Sequence, residues 1–262
     1  MGWELEEVEK PFVDQLVALK WRHVHGDLDD PSVTGRTSFF EVVQEAVLRE
    51  RLRAINLRDG KPWLDDARIS EAVAAITRPR ASKLMEANEE VTGLLLRGIT
   101  VEGLPGWDGG RGQTIRYIDW DVPANNHFTV INQYRVNCPP GFDSAKKFIV
   151  ADLVLLVNGV PLVVVECKSP SVSEPLAEAV DQLRRYTNQR KPAGEVGEHE
   201  GNENLFRSVE LLVASSYDEA RVACIGAAFE HFAQWKTVCT PEGTGSEVEI
   251  AQAMKKAVLA EQ

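Results

Sequence analysis

The sequence predicts a protein of the α+β or α/β class, in which a mixed sheet flanked by helices follows a mainly helical N-terminal part. Three observations support this class. Residues 1–100 hold four segments with apolar residues at helical spacing. From about residue 113 the apolar residues alternate instead, as they do in half-buried strands. Two runs rich in Val and Leu then flank Asn158-Gly159, the strongest short-range signal for a β-hairpin.

The four N-terminal helices are predicted from apolar spacing and from residues that begin or end helices. The first covers 4–21, and the second covers 38–57 with Thr37 or Ser38 as its cap. The third covers 65–76 and closes before Pro79, since a residue that precedes proline disfavours helical backbone angles. The fourth covers 83–97 and stops at Gly98, and the glycines of 100–112 predict a loop or a hairpin connection.

The second half of the chain predicts strands around one crossover helix. Strands are expected over 114–120 and 128–136, and two more in the central hairpin, which Pro170 ends. A helix over 174–189 leads to a strand over 211–215, which completes an αβββαβ core. A further strand over 221–227 and helices over 228–236 and 245–262 are expected, and 191–204 is predicted to be a polar surface loop.

Composition limits the possible function classes. The 262 residues include 29 Lys and Arg against 40 Asp and Glu, a net charge of −11. That sign is wrong for a protein that finds DNA through bulk electrostatics alone, so any DNA must be held largely by other subunits or domains. The acidic N-terminus lacks the basic region of a signal peptide. Four cysteines without C-x-x-C spacing indicate a reduced, cytoplasmic protein.

Three charged residues interrupt the apolar runs of the hairpin, namely Asp152, Glu166 and Lys168. A charge buried in a sheet costs several kcal/mol unless it is paired or binds a metal. Two neighbouring carboxylates repel each other, and a Mg²⁺ ion between them removes the repulsion and can polarise a phosphate oxygen. A buried acid–lysine ion pair in an ordinary sheet is the alternative, and the three residues alone leave both open.

The hairpin register decides whether the two acids meet. A plain two-residue loop at Asn158-Gly159 would pair Asp152 with Val165 and turn it away from Glu166. A three-residue loop, 157–159, or an equivalent bulge puts both carboxylates on one face. We therefore expect such a loop or bulge, with Gly159 at a positive φ. On the predicted helix that follows, Gln182 and Tyr186 are four residues apart and share a face, which by itself is common for half-buried residues.

The spacing D…E-x-K followed by Q-x-x-x-Y resembles the RecB-like branch of the PD-(D/E)xK nucleases, with Ala151 in place of the motif proline. A wider likeness covers roughly residues 83–237 and resembles the restriction (R) subunit of type I restriction-modification systems. The segments that carry it, in chain order, are I-D-W-x-x-P-x-x-N-x-F (118–128), V-I-N-Q-Y-x-V (130–136), the hairpin 152–170, Q-L-R-R-Y (182–186), L-L-V-A-S (211–215) and A-A-F-E-H-F-A-Q-W-K-T (227–237).

The resemblance implies a restriction-endonuclease-like fold and a role for each site residue. Asp152 and Glu166 would bind Mg²⁺, with the backbone carbonyl of Cys167 as a further ligand. Lys168 would orient the attacking water or assist as a base. The pair Gln182 and Tyr186 would position the phosphate backbone or support the site. The N-terminal helix also looks like the start of this family, where an acid can face the metal, and here that acid is Glu9.

The resemblance further implies a setting for the chain. Residues 1–262 are expected to form a single nuclease domain with a mainly helical part over 1–100, the core over 113–237 and a helical tail over 238–262 leading toward a motor domain. No G-x-x-x-x-G-K-[ST] pattern occurs in the sequence, so ATP hydrolysis is not assigned to it. Double-stranded DNA and the methyltransferase and specificity subunits are the implied partners, without a membrane. A nuclease fold that only docks partner subunits or DNA, with cleavage lost, is the alternative.

Overall fold

The computed structural model describes residues 5–107, 109, 111–139, 147–190, 200–217 and 219–235. The helix predicted over 245–262 and most of the loop predicted over 191–204 lie outside these residues. Within the described ranges, no helix has the length and apolar character needed to cross a membrane.

The N-terminal part is mainly helical, as predicted. A π-helical turn (Leu5–Glu9) continues into α1 (Lys10–Ala18), and a short strand β1 (Arg22–His25) follows. Three longer helices and two small hairpins complete this part, in the chain order α2 (Glu45–Ile55), β2 (Leu57–Arg58), β3 (Lys61–Pro62), α3 (Asp66–Thr77), α4 (Leu84–Arg97), β4 (Ile99–Val101) and β5 (Gln113–Ile115).

The second half builds a mixed seven-stranded sheet with the order β1-β6-β7-β8-β9-β10-β11. Its further elements are β6 (Phe128–Asn137), β7 (Phe148–Val157), β8 (Val160–Cys167), α5 (Pro175–Tyr186), α6 (Glu203–Phe206), β9 (Leu211–Ser215), β10 (Ala220–Ala223) and β11 (Ala233–Gln234). The pairs β1–β6 and β8–β9 are parallel, and the remaining pairs are antiparallel. The path α1, β6, β7, β8, α5, β9 confirms the αβββαβ core.

Several element boundaries differ from the prediction. The second helix begins at Glu45 rather than at 38, because the side chains of Thr37 and Ser38 bind within a preceding turn, Thr37 through Glu41 and Ser38 through the backbone of Phe40. The strand predicted over 114–120 ends at Ile115. The backbone N–H and carbonyl of the next residue, Arg116, bond the Asn56 side chain instead of another strand.

The C-terminal elements are also shorter than expected. The strand predicted over 221–227 is β10, which ends at Ala223, and Gly226 follows with a φ of 84°. The helix predicted over 228–236 is a 3-10 turn (Phe229–His231) followed by β11. The structure also has a strand at 22–25, β1, which the sequence pattern does not predict.

The sheet buries apolar residues on both faces. Alternate residues of β7, β8 and β9, such as Val154, Val164 and Leu212, pack against α5. The intervening residues, such as Leu153, Val165 and Val213, pack against the segment that includes α1. Apolar residues from both faces therefore account for the nearly continuous Val and Leu runs of the hairpin.

The tip of the central hairpin is buried under the helical part. Asn158 is fully buried, and its Oδ1 accepts from the His127 N–H at 2.8 Å. Its Nδ2 donates to the Tyr117 carbonyl and to Asn126 Oδ1, both at 2.8 Å. The Gly159 carbonyl accepts from the Gln44 N–H at 2.9 Å. The turn that makes the hairpin therefore also attaches it to the N-terminal part.

Candidate active site

The hairpin places Asp152 and Glu166 opposite each other by way of a bulge. The loop is the two-residue turn, with Val157 paired to Val160 and positive φ at both Asn158 and Gly159. The register then shifts between Leu155 and Leu156, which leaves one extra residue on β8. The expected three-residue loop is therefore absent, the expected equivalent bulge is present, and Gly159 has the predicted positive φ. Continued by one residue, the register sets Asp152 across from Glu166.

The sheet opens at this point. The β7–β8 pairing ends at Leu153 and Val165, whereas β6–β7 pairing continues to Phe148 and β8–β9 pairing continues to Cys167. We call the opening between Asp152 on one side and Glu166 and Cys167 on the other the strand gap. Across it the Cys167 N–H donates to the Asp152 carboxylate at 2.8 Å. Where the two strands separate, the Asp152 carboxylate thus takes the place of a backbone carbonyl as the acceptor for the Cys167 N–H.

Lys168 is held beside Glu166 at the end of β8. Its Nζ donates to Glu166 Oε1 at 2.8 Å and to the Cys167 carbonyl at 3.1 Å. Its backbone N–H donates to the Ser215 carbonyl on β9 at 2.9 Å, which fixes the start of the side chain. Glu166 and Lys168 are both buried, so solvent screens this ion pair little.

The electrostatics of the gap favour a proton or a cation. Burial raises the pKa of the Glu166 carboxyl well above its usual range, and the negative charge of Asp152 raises it further. The Lys168 ammonium lowers the pKa of Glu166, but burial has the larger effect. Glu166 Oε2 is buried and accepts from no donor among the described residues, and its carboxyl group lies within hydrogen-bonding reach of the Asp152 carboxyl. One oxygen of a buried acid is therefore available to a positive ligand beside a second acid.

This donor set fits Mg²⁺, which prefers oxygen ligands and keeps several waters when one or two carboxylates bind it. Asp152, Glu166 and the Cys167 carbonyl supply such oxygens around the strand gap, and the carbonyl already accepts from Lys168. Within the part of the chain that the structure describes, no three His, Cys, Asp or Glu side chains are grouped as a ready metal cluster. Two carboxylates and a carbonyl suit an ion that keeps several of its waters.

Gln182 and Tyr186 act on the site from α5. The Tyr186 hydroxyl donates to the Val150 carbonyl on β7 at 2.5 Å, and Gln182 Nε2 donates to that hydroxyl at 2.6 Å. Tyr186 is only 1% exposed, and burial raises the pKa of its hydroxyl, so it stays a neutral donor. Of the two roles expected for this pair, this geometry favours support of the strand that carries Asp152.

Tyr186→Phe tests that support. The change removes a hydroxyl that bonds both the β7 backbone and Gln182, so we expect a loss of about 1–2 kcal/mol in the free energy of unfolding. Urea denaturation of the purified chain measures it. Tyr217→Phe is the matched control, since Tyr217 is 63% exposed and should show no change. Equal stability of Tyr186→Phe and the wild type would contradict the supporting role.

Glu9 lies where the π-helical turn meets α1, and it is buried. The two Glu9 carboxylate oxygens are both 3.5 Å from Gln133 Nε2 on β6. Gln133 itself is at the level of Asp152, because its neighbours Asn132 and Tyr134 pair with Leu153 and Ala151. The structure thus brings Glu9 to the strand next to Asp152, on the side of the sheet that packs against the α1 segment.

The sequence interpretation did not single out Gln133 or the polar residues around the hairpin tip. Asp119 and Asn126 belong to the first resembling segment, and they bond each other through the Asp119 N–H and the Asn126 side chain. Asn126 in turn bonds Asn158. A usable signal was present, since Asn132-Gln133 places two adjacent polar residues in the middle of the strand and so interrupts its alternation.

A family model described as the type I restriction enzyme R protein N terminus matches residues 4–225. The HindI endonuclease subunit of a type I restriction enzyme from Haemophilus influenzae is 28% identical over 235 residues, covering 88% of this chain and 20% of that protein. A protein from Methanocaldococcus jannaschii, named provisionally as the MjaIXP endonuclease subunit of a type I restriction enzyme, is 23% identical over 234 residues with the same coverage.

This chain spans about a fifth of the length of these curated relatives. The family match, in contrast, covers most of the chain and includes both strands of the hairpin and α5. The strand gap, its two acids and its lysine all lie within the matched residues. The chain belongs to the family of type I restriction enzyme R protein N termini.

Proposed function

We propose that this chain is the DNA-cleaving part of a type I restriction enzyme R subunit and hydrolyses DNA phosphodiester bonds with Mg²⁺. The observation that carries the proposal is the strand gap, where the fully buried Glu166 lies against Asp152, contacts Lys168 and has one oxygen that accepts from no donor among the described residues. An ordinary buried ion pair would satisfy both carboxylate oxygens. The names of the relatives, which are endonuclease subunits, support the same function.

Mg²⁺ would be held by Asp152, Glu166 and the Cys167 carbonyl, and it supplies positive charge to the phosphate that is cleaved. The residues of the chain do the rest. Lys168 places an ammonium beside the acids, where it can orient the attacking water and offset charge that develops on the phosphate. Its contact with Glu166 keeps that ammonium at one position. Tyr186 fixes the strand that carries Asp152 through the Val150 carbonyl.

The net charge of −11 fits a chain that acts on DNA held by others. We include double-stranded DNA as substrate and the methyltransferase and specificity subunits as partners in the proposal. ATP would act through a motor domain and not through the residues of this chain. A nuclease fold that only docks partners would need no acid with an unpartnered buried oxygen.

Magnesium binding by the purified chain tests the metal assignment. Titration calorimetry should detect binding by the wild type, and Asp152→Asn should weaken it more than about tenfold, because a ligand loses its charge while its shape is kept. Glu210→Gln is the matched control. Glu210 is also an acid whose pKa burial raises, but its carboxylate accepts from the Thr92 hydroxyl on α4 at 2.8 Å.

The outcomes separate the candidate functions. Equal Mg²⁺ affinity of Asp152→Asn and the wild type would contradict the metal assignment and leave a structural ion pair. Magnesium binding without DNA cleavage by the assembled enzyme would favour the docking module. Loss of binding in Asp152→Asn together with loss of cleavage is the result that the proposed nuclease function requires.

A further inference from the structure

Gln133 has an unusual backbone conformation for its place in the sheet. It lies inside the ten-residue strand β6, yet its φ is 54°. Residues with a Cβ rarely adopt this left-handed conformation, and among them Asn and Asp are favoured over Gln. Such strain persists only where the surrounding structure imposes it, and it concentrates at functional sites. Gln133 therefore calls for a reason beyond strand formation.

The neighbouring backbone holds Gln133 in this positive-φ conformation, which forms a kink in β6. The Gly26 N–H, just after β1, donates to the Asn132 carbonyl at 2.9 Å. A Cβ at Gly26 would lie 2.6 Å from the Gln133 carbonyl oxygen, so only glycine permits this approach. The kink also interrupts the alternation of side chains between the two faces of the sheet. Ile131 and Tyr134 are three residues apart and would point to opposite faces of a regular strand, yet they pack in the same cluster. The chain thus contains a dedicated partner for the strained residue.

The kink directs the Gln133 amide toward Glu9. The 3.5 Å from Nε2 to each Glu9 oxygen is long for a hydrogen bond, and the amide faces both oxygens equally. Glu9 is 3% exposed, and a buried carboxylate requires donors around it. Gln133 occupies the level of Asp152, on the strand next to the strand gap, where the β7–β8 pairing has ended.

We infer that Gln133 is a positioning residue, which holds the Glu9 carboxylate at the strand gap so that Glu9 assists binding of Mg²⁺ from the α1 side. This inference rests on the proposed function. Mg²⁺ keeps several waters when one or two carboxylates bind it, and Glu9 would act on these waters. This placement requires the positive φ of Gln133, because in a regular extended strand the side chain at 133 would point to the other face of the sheet.

Gln133→Gly tests the inference because it separates strain from function. Glycine adopts a positive φ without a steric penalty, which offsets the lost contact with the buried Glu9 carboxylate, so the melting temperature should change little. The amide is lost, so Mg²⁺ affinity measured by calorimetry should fall about tenfold, as for loss of an outer-shell partner. A merely structural Gln133 would leave the affinity unchanged in this variant. Lys20→Gly is the matched control, since Lys20 is exposed with a φ of 73° and should leave magnesium binding unchanged.

A double-mutant cycle with Glu9→Gln shows whether Gln133 affects Mg²⁺ binding through Glu9. If Gln133 acts through Glu9, the double variant Glu9→Gln and Gln133→Gly should bind Mg²⁺ no more weakly than Glu9→Gln alone. Additive losses would overturn the assignment of Gln133 to Glu9.

Asp152→Asn, measured beside these variants, separates this inference from the proposed function. If Asp152→Asn loses magnesium binding while Gln133→Gly binds like the wild type, the positioning role is overturned and the proposed function stands. A wild-type chain that binds no Mg²⁺ would overturn both.

Discussion

Lys168→Met should reduce DNA cleavage by the assembled restriction enzyme about 10²- to 10⁴-fold, the usual range for loss of a positioned acid–base group. Methionine fills the buried space of the lysine stem but lacks the ammonium that contacts Glu166. The fold should survive, since Glu166 already has a raised pKa and can take up a proton when its cation is removed. Cleavage of plasmid DNA in the presence of ATP and Mg²⁺ measures the effect.

Lys83→Met is the matched control for this prediction. Lys83 also contacts a glutamate, Glu86, with its Nζ at 3.3 Å, but both side chains are well exposed. Such a surface pair contributes little, so cleavage and stability should match the wild type. Full cleavage by Lys168→Met would remove Lys168 from the proposed site. A folded variant, shown by circular dichroism, is required for either conclusion.

Asn158→Ala should destabilise the chain by about 3–4 kcal/mol, the largest stability loss that we expect here. It leaves the His127 N–H and the Tyr117 carbonyl without their buried partner, at a cost of about 1–3 kcal/mol for each unsatisfied group before relaxation, while Asn126 Oδ1 loses one of its two donors and keeps the Asp119 N–H. Alanine also tolerates the φ of 52° poorly. Thermal unfolding should shift by roughly 10 °C for a chain of this size.

Asp59→Ala provides a control with the same backbone. Asp59-Gly60 is the exposed turn between β2 and β3, with φ values of 50° and 74°. The steric penalty of a positive φ is therefore similar, about 1–2 kcal/mol, while no buried hydrogen bond is lost. A comparable loss of stability in both variants would show that Asn158 matters only for its backbone conformation and that the buried network contributes nothing.

Local patterns in the sequence were sufficient to predict the core of the fold. Helices α3 and α4, strand β6 and the αβββαβ order follow from spacing, caps and breakers, because each element buries one regular face. The requirement that two acids share a face also predicted an extra residue in the hairpin. This requirement does not distinguish a longer loop from a bulge at Leu155–Leu156, since both turn Asp152 to the face that carries Glu166.

Other features depend on contacts between distant residues, which no local pattern encodes. Strand β1 is short, and within the described residues it pairs with β6, over a hundred residues later. The strain at Gln133 requires Gly26, and the burial of the hairpin tip requires Gln44 and Tyr117. The late start of α2 depends on hydrogen bonds of Thr37 and Ser38 with a nearby turn. That Asp152 and Glu166 share a face could be predicted from the sequence, whereas the contact between Gln133 and Glu9 could not.

The parallel pairing of β1 with β6 has a consequence for synthesis of the chain. His25 and Asn132, which contact each other in the folded protein, are 107 positions apart. At about 5–20 residues per second, the ribosome needs roughly 5–20 s to make the intervening segment. The helix that carries Glu9 is made first but has no sheet to pack against during this time. The growing chain therefore cannot assemble the strand gap until the hairpin and β6 have left the ribosome.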